Sequence, residues 1–304
     1  MTSGTPTQCP NCFRGIPEGA RFCAFCGLPI PLSARKHPTR PAEEFPSLES
    51  LGGSCSVLRS SLGPLAIAPV GRAIARAAKR PLSDVTRQIN ASRGLLVRGI
   101  DADVARELAP KLDELGVDFF IVRDETIPTL PEAGRFASGT FNEEGMACEI
   151  NLPEEWKSIK RGWAEVQLVS CGRLSGEVSN VVREKVGFLY SMDKIQTRVD
   201  YKYVIDIIFS DPDERVRIDE GLPDAQSPGA RAEPLTEAHL VYLARQIFQF
   251  SADTPKSEGV RTLAFDGPAG FWENATFPTR HDFESYTQWL LQLIKYGKPL
   301  PAGM

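Results

Sequence analysis

The chain has 304 residues, 42% of them hydrophobic and 24% charged, ordinary values for folded globular domains. Its length allows two or three domains. No apolar run approaches the roughly 18 residues of a membrane span, and the strongest, Val204 to Phe209, contains Asp206. No basic start followed by an apolar core marks a secretory leader. These features exclude the membrane, fibrous and secreted disulfide-scaffold classes and point to a cytoplasmic protein.

The net charge of -4 conceals an asymmetry. Residues 1–100 carry 13 Lys and Arg against 5 Asp and Glu, whereas residues 101–304 carry 22 against 34. Such a split suits an anionic partner for the first third, docking of the two parts on each other, or two solvated faces. Four of the seven cysteines cluster near the start, and Cys55, Cys148 and Cys171 are scattered. An odd count without a leader fits a reducing compartment holding metal-bound and free thiols.

In chain order, residues 1–30 form a cysteine module. Cys9-Pro10-Asn11-Cys12 and Cys23-Ala24-Phe25-Cys26 are two C-x2-C pairs ten residues apart. Two residues between thiolates let one tight turn present both sulfurs to a single ion. Four thiolates in tetrahedral array suit Zn²⁺ at roughly 2.3 Å and leave no open position, so the site is structural. A segment this short has almost no core, and zinc contributes on the order of 10 kcal/mol in comparable modules. The pairs, with Gly19-Ala20-Arg21-Phe22 before the second and Gly27 after it, resemble the short bacterial zinc ribbons that precede multidomain proteins. Phe13 departs from the glycine usual there. The resemblance implies a protein or nucleic-acid partner without saying which.

Residues 31–64 read as a flexible linker rich in Pro, Gly and Ser, with a short apolar stretch at Ser56-Val57-Leu58. From 65 to 126 the pattern becomes regular. Leu65-Ala66-Ile67 predicts a strand, and Val70 to Ala78 a helix that Lys79-Arg80-Pro81 breaks. Ser83 and Asp84 start a second helix carrying Val85 and Ile89. Gly94 to Val97 predicts a strand. Asp101 caps a helix with Val104, Leu108, Leu112 and Leu115 on one stripe, Gly116 ends it, and Val117 to Val122 is a strand.

This β-α-α-β-α-β order is a compact α/β sandwich. Together with Ile74, Leu82, Val85, Ile89, Gly99 and the Leu112/Leu115/Gly116/Val117 passage, it resembles the C-terminal domain of the bacterial ribosomal stalk protein and the related Clp-protease adaptor. In the stalk family the paired helices contact translation factors, and Arg72 falls where that family has a helix lysine. Lys79-Arg80-Pro81 replaces the family's Gly-Leu-Gly turn, and its following lysines are absent at Ser83 and Thr86. Residues 71–98 carry seven Arg and Lys against Asp84 alone. Arg72, Arg76, Lys79 and Arg80 share one helical face, which can meet phosphates, and no aromatic residue is interleaved for base stacking.

Ile127 to Thr140 is a second break, followed by a mixed β/α domain over 141–304. Ala147 to Asn151, Trp163 to Ser170 and Gly187 to Tyr190 read as strands. Tyr201 to Phe209 and Glu214 to Ile218 flank a turn at Ser210 to Asp213, predicting a hairpin. Gly221 to Pro234 reads as a loop. Thr236 caps a helix through Phe248, and 251–281 is irregular. Asp282 starts a last amphipathic helix that Gly297 and Pro299 end. This order loosely resembles a pleckstrin-homology-type barrel closed by a helix, which implies a protein- or lipid-binding surface; the acidic charge disfavours anionic lipid.

The chain is thus expected to be an α+β multidomain protein without enzymatic activity. It reads as a zinc-binding adaptor or regulator with a protein partner, and no small-molecule substrate is identified. A nucleic-acid or ribosome-binding protein acting through the basic segment is the first alternative. The second is an enzyme using Cys171 or His281. No P-loop or dinucleotide fingerprint is present.

Overall fold

A computed structural model describes residues 7–8, 15–16, 43, 46–186, 190–211, 214–220, 235–270 and 275–301, with backbone alone at 7–8, 15–16, 177–186 and 190–198. Strands β1 (Thr7–Gln8) and β2 (Gly15–Ile16) pair antiparallel, Thr7 opposite Ile16 and Gln8 opposite Gly15.

The α/β sandwich starts earlier than its sequence pattern suggests. Its first strand is β3 (Ser54–Arg59), inside the stretch read as linker, and not Leu65–Ile67. Cys55 and Val57 point into the helix-covered core and Leu58 to the opposite face. Asp124 supplies the polar groups of this strand with acceptors: Ser54 Oγ and Ser56 Oγ each donate to its carboxylate at 2.5 Å. Leu65 and Ile67 instead lead into α1 (Ile67–Ala78), which is followed by α2 (Leu82–Ser92), β4 (Leu95–Asp101), α3 (Ala102–Glu114) and β5 (Phe119–Arg123). The predicted element order therefore holds with its first strand moved. β3 lies centrally, antiparallel to both β4 and β5.

Lys79 ends α1 in the left-handed conformation at φ 52, a position glycine usually takes. Gly116 at φ 68 follows α3 as predicted. Arg93 is more constrained. At φ 56 and ψ -62, with Gly94 N–H donating to Ser92 O at 2.6 Å, it centres a γ-turn of a rare, strained kind. The cost is about 1–3 kcal/mol.

The second break also contains structure. The C-terminal part comprises β6 (Gly134–Phe141), β7 (Gly145–Asn151), β8 (Trp156–Gly162), β9 (Val166–Val186), β10 (Tyr190–Phe209) and β11 (Arg215–Asp219). It continues with α4 (Glu237–Phe250), α5 (Glu258–Phe265), β12 (Thr276–Phe277) and α6 (Arg280–Lys295). The strand expected from Trp163 begins only at Val166. Trp163–Glu165 form a 3-10 turn, and the Trp163 indole N–H donates to Asn142 O at 2.7 Å. β8, its charged residues interrupting the alternation, was not anticipated, nor was α5 within the region read as irregular. Residues 187–189, 212–213 and 221–234 of the predicted strand, turn and loop lie outside the described residues. Thr279 caps α6, while Asp282 returns the bond from the third helical position.

The strand order is β12-β9-β10-β11-β6-β7-β8. Among the described residues the ladder is open between β8 and β12. The turn at 163–165 carries β9 away from the β8 edge. Lys157 and Arg161 of β8 both reach Glu214, drawing β8 toward the start of β11 (2.6 and 2.7 Å).

The two α/β parts share a core. α6 lies between the sheets, with Phe283, Tyr286, Trp289, Leu290 and Leu293 meeting Leu58, Leu95, Phe120 and Val122 on one side and Leu168, Val204 and Ile208 on the other. Helices α1 to α3 cover the outer face of the small sheet. Helices α4 and α5 cover the far face of the large one. The Trp289 indole N–H donates to Arg59 O at 2.7 Å, and a Cβ on Gly94 would overlap its ring.

Candidate functional site

The predicted zinc ligands Cys9, Cys12, Cys23 and Cys26 lie outside the described residues. The described backbone bears on the first pair: β1 and β2 are hydrogen-bonded neighbours, and the segment joining them contains both Cys9 and Cys12. A two-stranded hairpin holding a C-x2-C pair in its connection suits one tetrahedral thiolate site. Among the described residues no cluster of His, Cys, Asp or Glu could hold a metal ion.

The basic face is described completely. Arg72, Arg76 and Lys79 are exposed along α1. α1 packs on α2 and α3, on the side of the small sheet opposite α6. Among the described residues, the large sheet and its helices are therefore not their partner. Among the described residues none of the three has a carboxylate within ion-pair distance.

Arg80 differs. Its Nη2 donates to Arg98 O at 2.8 Å and Gly99 O at 3.3 Å. This brace ties the α1–α2 turn to β4, whereas the Arg98 side chain lies on the other face of the small sheet, beside Leu95, Ser285 and Gln288 of the α6 side. Arg87 pairs with Asp84 at 3.3 Å, and Arg93 Nη2 donates to Thr276 O at 3.1 Å. The face thus consists of Arg72, Arg76 and Lys79, with Arg80 as its support.

Sequence reasoning missed a buried ion cluster under α6. Asp206 is 0% exposed, and Arg215 and Arg217 are each 3% exposed. Arg217 Nε donates to Asp206 Oδ1 at 2.7 Å, and Arg215 Nη2 donates to Oδ2 at 2.5 Å. Both guanidinium groups donate to Glu284 Oε1 at 3.0 Å. Burial works against the charge on Arg217, but hydrogen bonds and charges from Asp206 and Glu284 outweigh it and hold its pKa above the ordinary value. The predicted hairpin contained the signal. A turn at Ser210 to Asp213 places Phe209 opposite Glu214, and hence Asp206 opposite Arg217, the register observed. All four groups have partners, so the cluster positions α6 on the sheet and offers no reactive group.

The residues named for an enzyme are not brought together. Cys171 is fully buried, its N–H donating to Ser257 Oγ at 2.8 Å. Burial, then the Asp206 charge, pushes its thiol far above the ordinary value. Cys148 is pushed up to about 12 by burial, then by Glu149 and Glu214. Cys55 is raised chiefly by burial. His281 is exposed on the first turn of α6. His239 accepts through Nδ1 from the Thr236 N–H at 3.3 Å and so serves the cap of α4. A shallow depression on the outer face of β6, β7 and β8 is lined by Ser138, Thr140, Ala147, Glu149, Ser158 and Lys160. Its Ser158 hydroxyl is occupied by Glu149 at 2.5 Å.

These thiols support a direct prediction. At pH 8 a group of pKa 12 is thiolate in about one molecule in ten thousand. An alkylating reagent should leave Cys55, Cys148 and Cys171 unmodified in the folded protein and modify all three in urea, as read by peptide mass. Rapid labelling of any of them in the native protein would show that its strand opens locally.

Comparison with known proteins gave no match, whether to family models, to curated proteins or to solved structures. Among the described residues, no helix is long and apolar enough to cross a membrane.

Proposed function

We propose that this chain is a non-enzymatic zinc-binding adaptor, in which a four-cysteine ribbon and the α1–α2 face of the sandwich meet macromolecular partners. The observation that carries this reading is the orientation of α1. Its cations face away from the large sheet and lack carboxylate partners among the described residues. Unpaired exposed charge along one face is what an interaction surface requires. The β1–β2 pairing around Cys9 and Cys12 supports the zinc site. The buried state of Cys171 weighs against the alternative of catalysis through it.

Metal content tests the first half. Purified protein should contain one zinc per chain, and Cys9→Ser should lose it while the far-ultraviolet spectrum of the α/β body persists. Zinc retained at full stoichiometry in both Cys9→Ser and Cys23→Ser would remove the ribbon. Robust turnover abolished by one C-terminal point substitution would remove the adaptor.

A further inference from the structure

We infer that the face formed by Arg72, Arg76 and Lys79 seats on a nucleic-acid duplex and binds its phosphates, not its bases. This rests on the adaptor reading and names the partner of that face.

Three observations favour phosphate. First, the cations are arranged in a line. Arg72 to Arg76 is one helical step of about 6 Å and Arg72 to Lys79 about 10 Å, so neighbouring side chains can engage successive phosphates of a strand. Second, the cations are exposed while the carboxylate nearest to α1 in sequence, Asp84, is taken by Arg87 at 3.3 Å. Arg80, held by the carbonyls of Arg98 and Gly99, fixes the α1–α2 turn relative to β4, so the charges are set before binding. Third, α1 and α2 contain no aromatic residue. The face therefore lacks the platforms on which unpaired bases stack, leaving backbone contact as its available mode.

An acidic protein is the competing occupant. It would use Leu82, a large apolar residue that is 44% exposed at the start of α2, since protein interfaces centre on buried apolar anchors. A phosphate backbone would not need it.

The test measures binding of the full-length, zinc-loaded chain to a short fluorescent duplex of mixed sequence. Three phosphate contacts predict a slope near -2.7 for log affinity against log salt, a loss on the order of fortyfold between about 50 and 200 mM salt. Arg72→Gln with Arg76→Gln should weaken binding and reduce the steepness of that slope by about 2. Leu82→Ala should bind as the parent does, and thermal unfolding of each variant confirms that exposed positions leave the fold intact.

A flat salt dependence, unchanged binding by the double variant, or loss on Leu82→Ala would overturn the proposal. So would displacement of the duplex by polyglutamate at equal charge concentration, which identifies an acidic protein instead. Zinc content and turnover are read separately, so failure here is distinguishable from failure of the adaptor reading.

Discussion

Asp206→Asn should destabilise the fold by about 3–5 kcal/mol, the cost of breaking a buried ion pair by removing one partner. The side chain keeps its shape but loses its charge, and one of its oxygens becomes an amide donor facing guanidinium groups. Arg215 and Arg217, each 3% exposed, would then share Glu284, which is 31% exposed and on another element. Urea unfolding followed by circular dichroism would measure the effect. A loss below about 1 kcal/mol would mean that water reaches the cluster.

Glu284→Gln should cost less, because Asp206 still bonds both guanidinium groups directly. Replacing Asp206, Arg215 and Arg217 together by apolar residues of similar volume should recover much of the single-variant loss, since their desolvation penalty disappears as well. The cluster joins β10, β11 and α6, so its role is to select one seating of α6 on the large sheet.

Trp289→Ala should have an effect of similar size, about 3–5 kcal/mol. The ring is 1% exposed, lies between the two sheets, and its indole N–H reaches Arg59 O at 2.7 Å. Its loss opens a cavity and leaves a carbonyl at the end of β3 without that donor. Gly94→Ala should also destabilise, because the added methyl would overlap the same ring. The double variant is the sharper test. With the ring absent, the added methyl has room, so the two effects should sum to less than their separate values. Strict additivity would show that Gly94 is required for the γ-turn beside it and not for Trp289.

Because α6 belongs to the core of both sheets, the sandwich and the large sheet should unfold in one transition. Two resolved transitions in the parent would mean that α6 contributes little to the joint.

Much of the fold could be read from local pattern. The helices of the sandwich follow from apolar spacing, from the break at Lys79-Arg80-Pro81 and from Gly116; the last helix follows from its stripe and its stop at Gly297. These depend on residues a few positions apart, where propensity and capping act. Strand β3 shows where such reading stops. Its sequence, Ser54-Cys55-Ser56-Val57-Leu58-Arg59, is half polar, and it becomes a central strand because Asp124, about seventy residues later, accepts from both serines. β8 is similar, since Lys157 and Arg161 are tolerated there through Glu214.

The candidate surfaces divide in the same way. The two C-x2-C pairs and the cations of α1 are periodic in sequence, so residue type and spacing were enough to select them. Tertiary structure decided the rest. It turned α1 away from the large sheet, assigned Arg80 to a brace, set Arg98 on the face toward α6 and buried Cys171. It also set Asp206, Arg215, Arg217 and Glu284 around one point and wedged α6 between two sheets. Each of these depends on which distant backbone carbonyl, carboxylate or apolar face comes to rest beside a residue. That pairing is set by the closing of the whole core, and no window of neighbouring residues contains it.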